Sequence, residues 1–273
     1  MITRFAPTPS GYLHIGNAAN ALLVSWLAAA SDGTVALRID DMDASRARSE
    51  FVADIFDTLA WLEIPWAIGP RDAADFVAHF SMASSAEHYR RELSAALARG
   101  LDAYACSCSR SQLTAVPTGG CPGGCRTRDL LLEPGKTALR LHVPRGSAVP
   151  VGEHVVHVDE VMGDFVVWRR DDLPSYHLAS VIEDRDLGTT HLVRGADLLE
   201  STAAQFLLAS QLGAPSVLDA TYLFHDLITD RHGAKLSKSV DASGPLAHDD
   251  STRELVYETA RQLGAPLGIT PTG

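Results

Sequence analysis

Residues 4 to 17 read RFAPTPSGYLHIGN and run straight into the apolar stretch AANALLVSWLAAA. A short strand-like piece, a Pro/Gly-rich turn and a helix start make a physically sensible anion site. Glycine lets a ligand approach the backbone, and a helix N-terminus offers unpaired N–H groups and a partial positive charge. The spacing is neither the dinucleotide fingerprint nor the P-loop. Taken alone, the stretch fits a tight turn around a buried histidine equally well. Far downstream, GAKLSKS (233–239) places Lys235 and Lys238 on a glycine-preceded, serine-rich loop. Alone this is weak, because surface lysines are usually solvated. Together, a helix-start histidine and a lysine loop could meet the charge that develops when a phosphoryl or nucleotidyl group is transferred.

A second cluster carries different chemistry. Cys106, Cys108, Cys121 and Cys125 are all four cysteines of the chain, and glycines flank the second pair. Two pairs this close suit a tetrahedral zinc site with four thiolates. Two disulfides or unpaired buried cysteines are the other readings, and disulfides are disfavoured in a reducing compartment.

The elements that must position these residues alternate in an α/β manner. Residues 2–5 and 34–39 read as strands. Residues 17–30 read as a helix with Asn17 as its cap. Residues 49–62 have helical spacing, with Phe51, Ile55, Leu59 and Leu62 on one face. This order predicts a parallel sheet with a right-handed crossover. From Tyr104 to about Arg128 the chain is irregular and rich in Cys, Gly, Pro and Ser. Strand-like pieces follow, two of them flanking Met162-Gly163 as a predicted hairpin. The α/β rhythm resumes near Pro174, with a strand at 190–195, a helix at 197–213, and a tail helix whose Ser251 and Glu254 have capping-box spacing.

The formal net charge of −11 over 273 residues argues against a nonspecific nucleic-acid coat but leaves room for a local basic groove. The apolar run at 18–30 has the look of a signal-peptide core. Its Pro/Gly-rich upstream flank, and Asn20 and Ser25 within it, speak against that, and it is too short for a membrane span. A cytoplasmic protein is expected.

RFAPTPSGYLHIG paired with KLSKS resembles the signature pair of class I aminoacyl-tRNA synthetases. LRIDDMD (37–43), YACSCSR (104–110), GDFVVWRRDDLPSYHLA (163–179) and HLVRGADLLEST (191–202) look like the glutamyl branch. The resemblance spans about residues 2 to 240. Barely 30 residues follow KLSKS, so the chain looks like the short paralogues, the glutamyl-queuosine tRNA(Asp) synthetases. The resemblance implies a Rossmann-like catalytic domain at 1–103 and 174–245. It also implies an inserted zinc-binding and β-hairpin subdomain at 104–173, and a short helical segment at 246–273 with no anticodon-binding domain. It implies an AMP-forming ligase that activates glutamate with ATP and Mg2+, carries a structural Zn2+, passes the glutamyl group to queuosine in tRNA(Asp), and is a monomer.

By resemblance, His14, Gly16 and Asn17 face the ATP phosphates, with Lys235 and Lys238 opposite and Lys238 on the leaving pyrophosphate. Arg4, Thr8, Asp40, Tyr176 and Arg194 would bind the amino acid, although Tyr176 could equally be a core aromatic. Three positions depart from the family. Asp40 stands where the family has a glutamate that contacts the substrate's α-amino group, His177 where short paralogues often have glutamine, and Cys121 near a position where they often have tyrosine. The first two bear on the identity of the amino acid. Two alternatives keep other readings in view: an adenylating ligase serving a carrier protein or small amine, and a catalytically idle nucleotide-binding regulator.

Overall fold

The computed structural model describes residues 1–43, 46–114, 116, 120–122, 124–227 and 244–271. In chain order its strands are β1 (Ile2–Phe5), β2 (Thr34–Leu37), β3 (Ala103–Cys106), β4 (Ala138–Leu141), β5 (Ala148–Val151), β6 (His154–His157), β7 (Phe165–Trp168), β8 (His191–Gly195) and β9 (Thr221–His225). The helices of eight residues or more are α1 (Ile15–Ala29), α2 (Ser49–Trp61), α3 (Ala86–Ala98), α4 (Tyr176–Asp186), α5 (Leu199–Leu212) and α6 (Asp250–Gly264). The chain divides into two units: Met1–Ser84 with Thr189–Asp197 and Ala220–Gly273, and Ser85–Gly188 with Leu198–Asp219.

The first unit is built on a parallel sheet of order β2-β1-β8-β9. Side chains alternate across a strand, and in register neighbours point the same way. Odd positions Phe5, Val35, Leu37, Ile39 and Val193 join one apolar cluster with Leu22, Leu23 and Val24 of α1, Ile55 and Leu59 of α2, and Val256 and Ala260 of α6. Fully burying one such side chain is worth roughly 1.5–3 kcal/mol, so this face holds the sheet against its helices. The even positions are left to the opposite face. The backbone ladder runs past β2, because Arg38 N donates to Phe5 O at 3.0 Å and Asp40 N donates to Pro7 O at 2.9 Å. Arg4, Ala36, Arg38 and Asp40 therefore share that face, and the Thr3–His191 register adds Leu192 and Arg194 to it.

α6 starts at Asp250, not on the Ser251–Glu254 capping box that its sequence suggests. Asp249 is the cap and accepts from Thr252 N at 2.8 Å. The Ser251 hydroxyl donates to the same carboxylate at 2.8 Å, so a stronger acceptor two residues earlier takes the role.

The second unit holds an antiparallel sheet β3-β4-β7 and a two-stranded hairpin β5-β6. The hairpin predicted around Met162-Gly163 does not form. Gly152, at φ +59°, turns β5 into β6 instead, a left-handed conformation that favours glycine. Val158–Val161 then makes a single helical turn, and β7 pairs with β4. Helices α3, α4 and α5 pack on one another in this unit. Tyr89 of α3 is wholly buried, and its hydroxyl donates to Glu183 of α4 at 2.6 Å. No helix among the described residues is long and apolar enough to cross a membrane.

Candidate active site and candidate metal centre

In the first unit β1 connects through α1 to β2 on one side, while β8 and β9 extend the sheet on the other. Open α/β sheets bind ligands in the crevice beyond the carboxyl ends of the strands where the order reverses. Here that point lies between β1 and β8. The turn at 6–14 leaves β1 there, and Arg194 and Gly195 end β8 there.

His14 is the N-cap of α1, with extended φ −107° and ψ 171°. Its Nδ1 accepts from Gly16 N at 3.0 Å, and Asn17 Oδ1 accepts from His14 N at 3.2 Å, closing a reciprocal capping box. The helix therefore begins at Ile15 and not at Asn17, because an imidazole nitrogen supplies the acceptor that Ser, Thr, Asp or Asn usually supplies. Nδ1 being an acceptor, the proton of the neutral ring sits on Nε2. The cap thus turns His14 into a single donor held at a helix N-terminus. Asn17, with its oxygen committed, has only its NH2 group to offer a ligand. Gly16 lies in the first turn, half-buried. Thr8 is exposed on the turn itself.

Two contacts that sequence reasoning missed hold this turn. Tyr12 meets Phe51 of α2 edge-on, ring centroids 5.0 Å apart. Leu13 N donates to Asp54 Oδ2 of α2 at 2.7 Å, and Asp54 is buried. Burial pushes the Asp54 carboxyl above the usual carboxylate range, with Asp57 adding to the push and the Leu13 N–H and His248 opposing it. Because the raised value belongs to the native state, Asp54 favours folding at acid pH, and that contribution is lost as pH rises through the native value. Asp54→Asn keeps an acceptor for Leu13 N–H and removes the charge. It is expected to melt no lower than the unsubstituted protein near pH 7 and to show a smaller gain in Tm on acidification. Asp54→Ala orphans the amide and should cost about 1–3 kcal/mol. Thermal melts at several pH values check both.

On the even face, Arg4, Arg38 and Arg194 are all buried. Arg194 lies over the Tyr222 ring of β9, 5.1 Å from its centroid. Asp40 is also buried, but not as a lone carboxylate. Arg38 Nε donates to its Oδ1 at 2.6 Å and Arg38 NH2 to its Oδ2 at 3.1 Å. Asp41 does a different task. It accepts from Ser81 Oγ at 2.6 Å, Met82 N at 2.8 Å and Ala83 N at 3.2 Å, and so fixes the following segment. At the end of β8, a Cβ added to Gly195 would lie 2.6 Å from Asp197 Oδ1, so a larger residue there would have to displace the Asp197 side chain. Tyr176 belongs to the second unit, where it opens α4 and is 38% exposed, which is not a core position. Lys235 and Lys238 lie outside the described residues.

The cysteines gather in the second unit. Their four Sγ atoms all lie within 4.8 Å of one another, and Cys108 Sγ is 3.5 Å from that of Cys121 and 3.6 Å from that of Cys125. A disulfide needs about 2.05 Å, so no pair is bonded. Four sulfurs at zinc-ligand distance on a tetrahedron would sit about 3.8 Å apart. Burial pushes the Cys108 thiol up to about 12. Burial pushes Cys125 up as well, but the Ser107 backbone N–H and the neighbouring thiols bring it down to about 6. Such divergence is what crowded thiols show when one ionises at the others' expense, and a dication among them would let all four ionise. The donor set fits a four-coordinate metal ion.

A parallel sheet with a histidine-capped helix at its switch point is an α/β fold with a ligand crevice at the carboxyl ends of its strands. The chain matches the model of the tRNA synthetases class I (E and Q) catalytic domain over residues 1–119 and 126–267, and it belongs to that family. It is 40% identical to the glutamyl-Q tRNA(Asp) synthetase of Pseudomonas syringae pv. syringae (strain B728a), covering 97% of this chain and 85% of that protein. It is 35% identical to the glutamyl-Q tRNA(Asp) synthetase of Rhodobacter capsulatus, covering 89% and 92%. Within the family the chain stands with the glutamyl-Q tRNA(Asp) synthetases, as aminoacyl-tRNA synthetase-like ligases. A crystal structure of glutamate-tRNA synthetase from Elizabethkingia anophelis shares the fold, with TM-score 0.72 and 23% identity. The match covers 87% of this chain and 52% of that one, so this chain spans about half of that synthetase.

Proposed function

We propose that this protein activates glutamate with ATP and transfers the glutamyl group to queuosine in the anticodon loop of tRNA(Asp). The names of its relatives support the substrate and acceptor. The observation that carries the chemistry is the His14 cap, which holds the imidazole at the N-terminus of α1 with Nδ1 as acceptor and Nε2 as the N–H of the neutral ring.

In the first step a carboxylate oxygen of the α-carboxylate attacks the α-phosphorus of ATP. A new P–O bond forms, the bond to the bridging oxygen breaks, and pyrophosphate leaves with that electron pair. No side chain has to act as nucleophile, so positioning and charge stabilisation carry the rate. His14 Nε2–H and the Asn17 NH2 take the phosphates, and Gly16, whose amide the His14 cap holds, lets them approach the helix start closely. Lys235 and Lys238 meet the departing pyrophosphate, on the strength of the sequence pattern. Arg4 and Arg194 take carboxylates, Asp40 takes the α-ammonium, and the Thr8 hydroxyl and Tyr176 are further amino-acid contacts by family resemblance. Mg2+ travels with ATP as substrate. Zinc on Cys106, Cys108, Cys121 and Cys125 is structural and pins a segment that has little apolar core of its own.

ATP–pyrophosphate exchange with each amino acid, in the absence of tRNA, tests the first step. Exchange with glutamate and with no other standard amino acid is the expected result. Exchange with no amino acid contradicts an adenylating enzyme of any kind.

A further inference from the structure

We propose that Arg38 is a positioning residue for amino-acid selection: it clamps the Asp40 carboxylate so that its remaining lone pairs face the α-ammonium of the substrate. The inference rests on the proposed glutamate activation and adds to it the residue through which a shortened acid is made to work.

Arg38 and Asp40 are two residues apart on extended backbone, which puts both on one face. Their backbone is fixed at each end by the ladder to Phe5 and Pro7. Their side chains are 5% and 9% exposed and meet in a bidentate fork. A buried ion pair is poor evidence for stability, since apolar residues of similar volume often serve as well. A pair kept at this cost invites a reason in the chemistry of the face it occupies.

That face supplies one. Its even positions carry the guanidinium groups of Arg4, Arg38 and Arg194, with Asp40 as the acid among them. Two carboxylates and one ammonium, the charges of an acidic amino acid, complement such a set. The ammonium then depends on Asp40. An ionised carboxylate offers about four lone-pair sites, and the Arg38 fork occupies two. The other two point away from the guanidinium. The clamp also removes rotation about the Asp40 side chain, so ordering it costs the incoming ligand nothing further. A carboxylate one methylene shorter than the family's glutamate has less reach, and orientation is what it can gain in exchange.

The test is pyrophosphate exchange by the full chain with Arg38→Met and Arg38→Lys. KM for glutamate and ATP, kcat, and inhibition by 2-hydroxyglutarate, which keeps both carboxylates and lacks the ammonium, are measured in each. Arg38→Met is expected to raise KM for glutamate about tenfold or more, the scale of one disordered charge-assisted hydrogen bond. KM for ATP and inhibition by 2-hydroxyglutarate should stay as they are, and Arg38→Lys, which cannot form the fork, should fall between. If Arg38→Met does not fold, Arg38→Lys carries the same comparison. Equal weakening of glutamate and 2-hydroxyglutarate would overturn the inference, since Arg38 would then serve a carboxylate or the fold at large. An unchanged KM for glutamate overturns it too. Absence of glutamate-dependent exchange in the unsubstituted protein overturns the activation reading beneath it, and the inference with it.

Discussion

Replacing His14 by alanine is expected to lower glutamate-dependent pyrophosphate exchange by about two orders of magnitude, the usual scale for losing one donor aimed at transition-state charge. The substitution removes two things at once. It removes the Nε2–H donor, and it removes the Nδ1 acceptor that caps Gly16 N. Loss of a cap alone costs about 1 kcal/mol of stability. His14→Ser separates the two, since a serine hydroxyl caps a helix but cannot reach where the imidazole edge reaches. His14→Ser should therefore recover most of the melting temperature while exchange stays low. Recovery of exchange together with stability would mean that His14 acts only as a cap.

The second large effect is expected at the cysteine cluster. Cys106, Cys108 and Cys125 are the buried members of a small apolar group that includes Tyr104, Leu113 and Leu130. So few side chains cannot hold the chain between β3 and Cys125 in place by burial alone. Metal binding at a site of this kind is folding free energy. Metal analysis of the purified protein should give about one zinc per chain. Cys125→Ser should abolish it and lower Tm by more than about 5 °C, which for a chain of this size corresponds to roughly 2 kcal/mol or more. A folded protein that holds no metal and melts at the same temperature after the substitution would contradict the site.

Much of this arrangement is legible in the residues. The helix at Ser49–Trp61, the strand at His191–Gly195 and the cysteine cluster follow from spacing and residue type alone. What was not legible depends on partners distant in sequence or on side chains in unusual roles. His14 is not legible as a cap because imidazole is not among the usual capping groups, and the expected helix start therefore falls at Asn17. Asp54 acts on Leu13 across 41 residues and leaves no local signal. Arg38 could have been found, since Arg38 and Asp40 stand two apart in a strand reading and Arg4 and Arg194 have the same parity relative to their apolar neighbours. The hairpin at Met162-Gly163 failed because β7 found a better partner in β4, a non-local choice. Of the two readings of Tyr176, its 38% exposure removes the core aromatic and leaves the pocket-lining one open.

One labelling experiment reads the acceptor of the glutamyl group most directly. Labelled glutamate, ATP and the protein are incubated with tRNA(Asp) in three forms: queuosine-containing, queuosine-free, and queuosine-containing without its terminal 3′ adenosine. Label is expected on both queuosine-containing forms and none on the queuosine-free one. Label that needs the 3′ adenosine, or that appears without queuosine, would contradict queuosine as the acceptor.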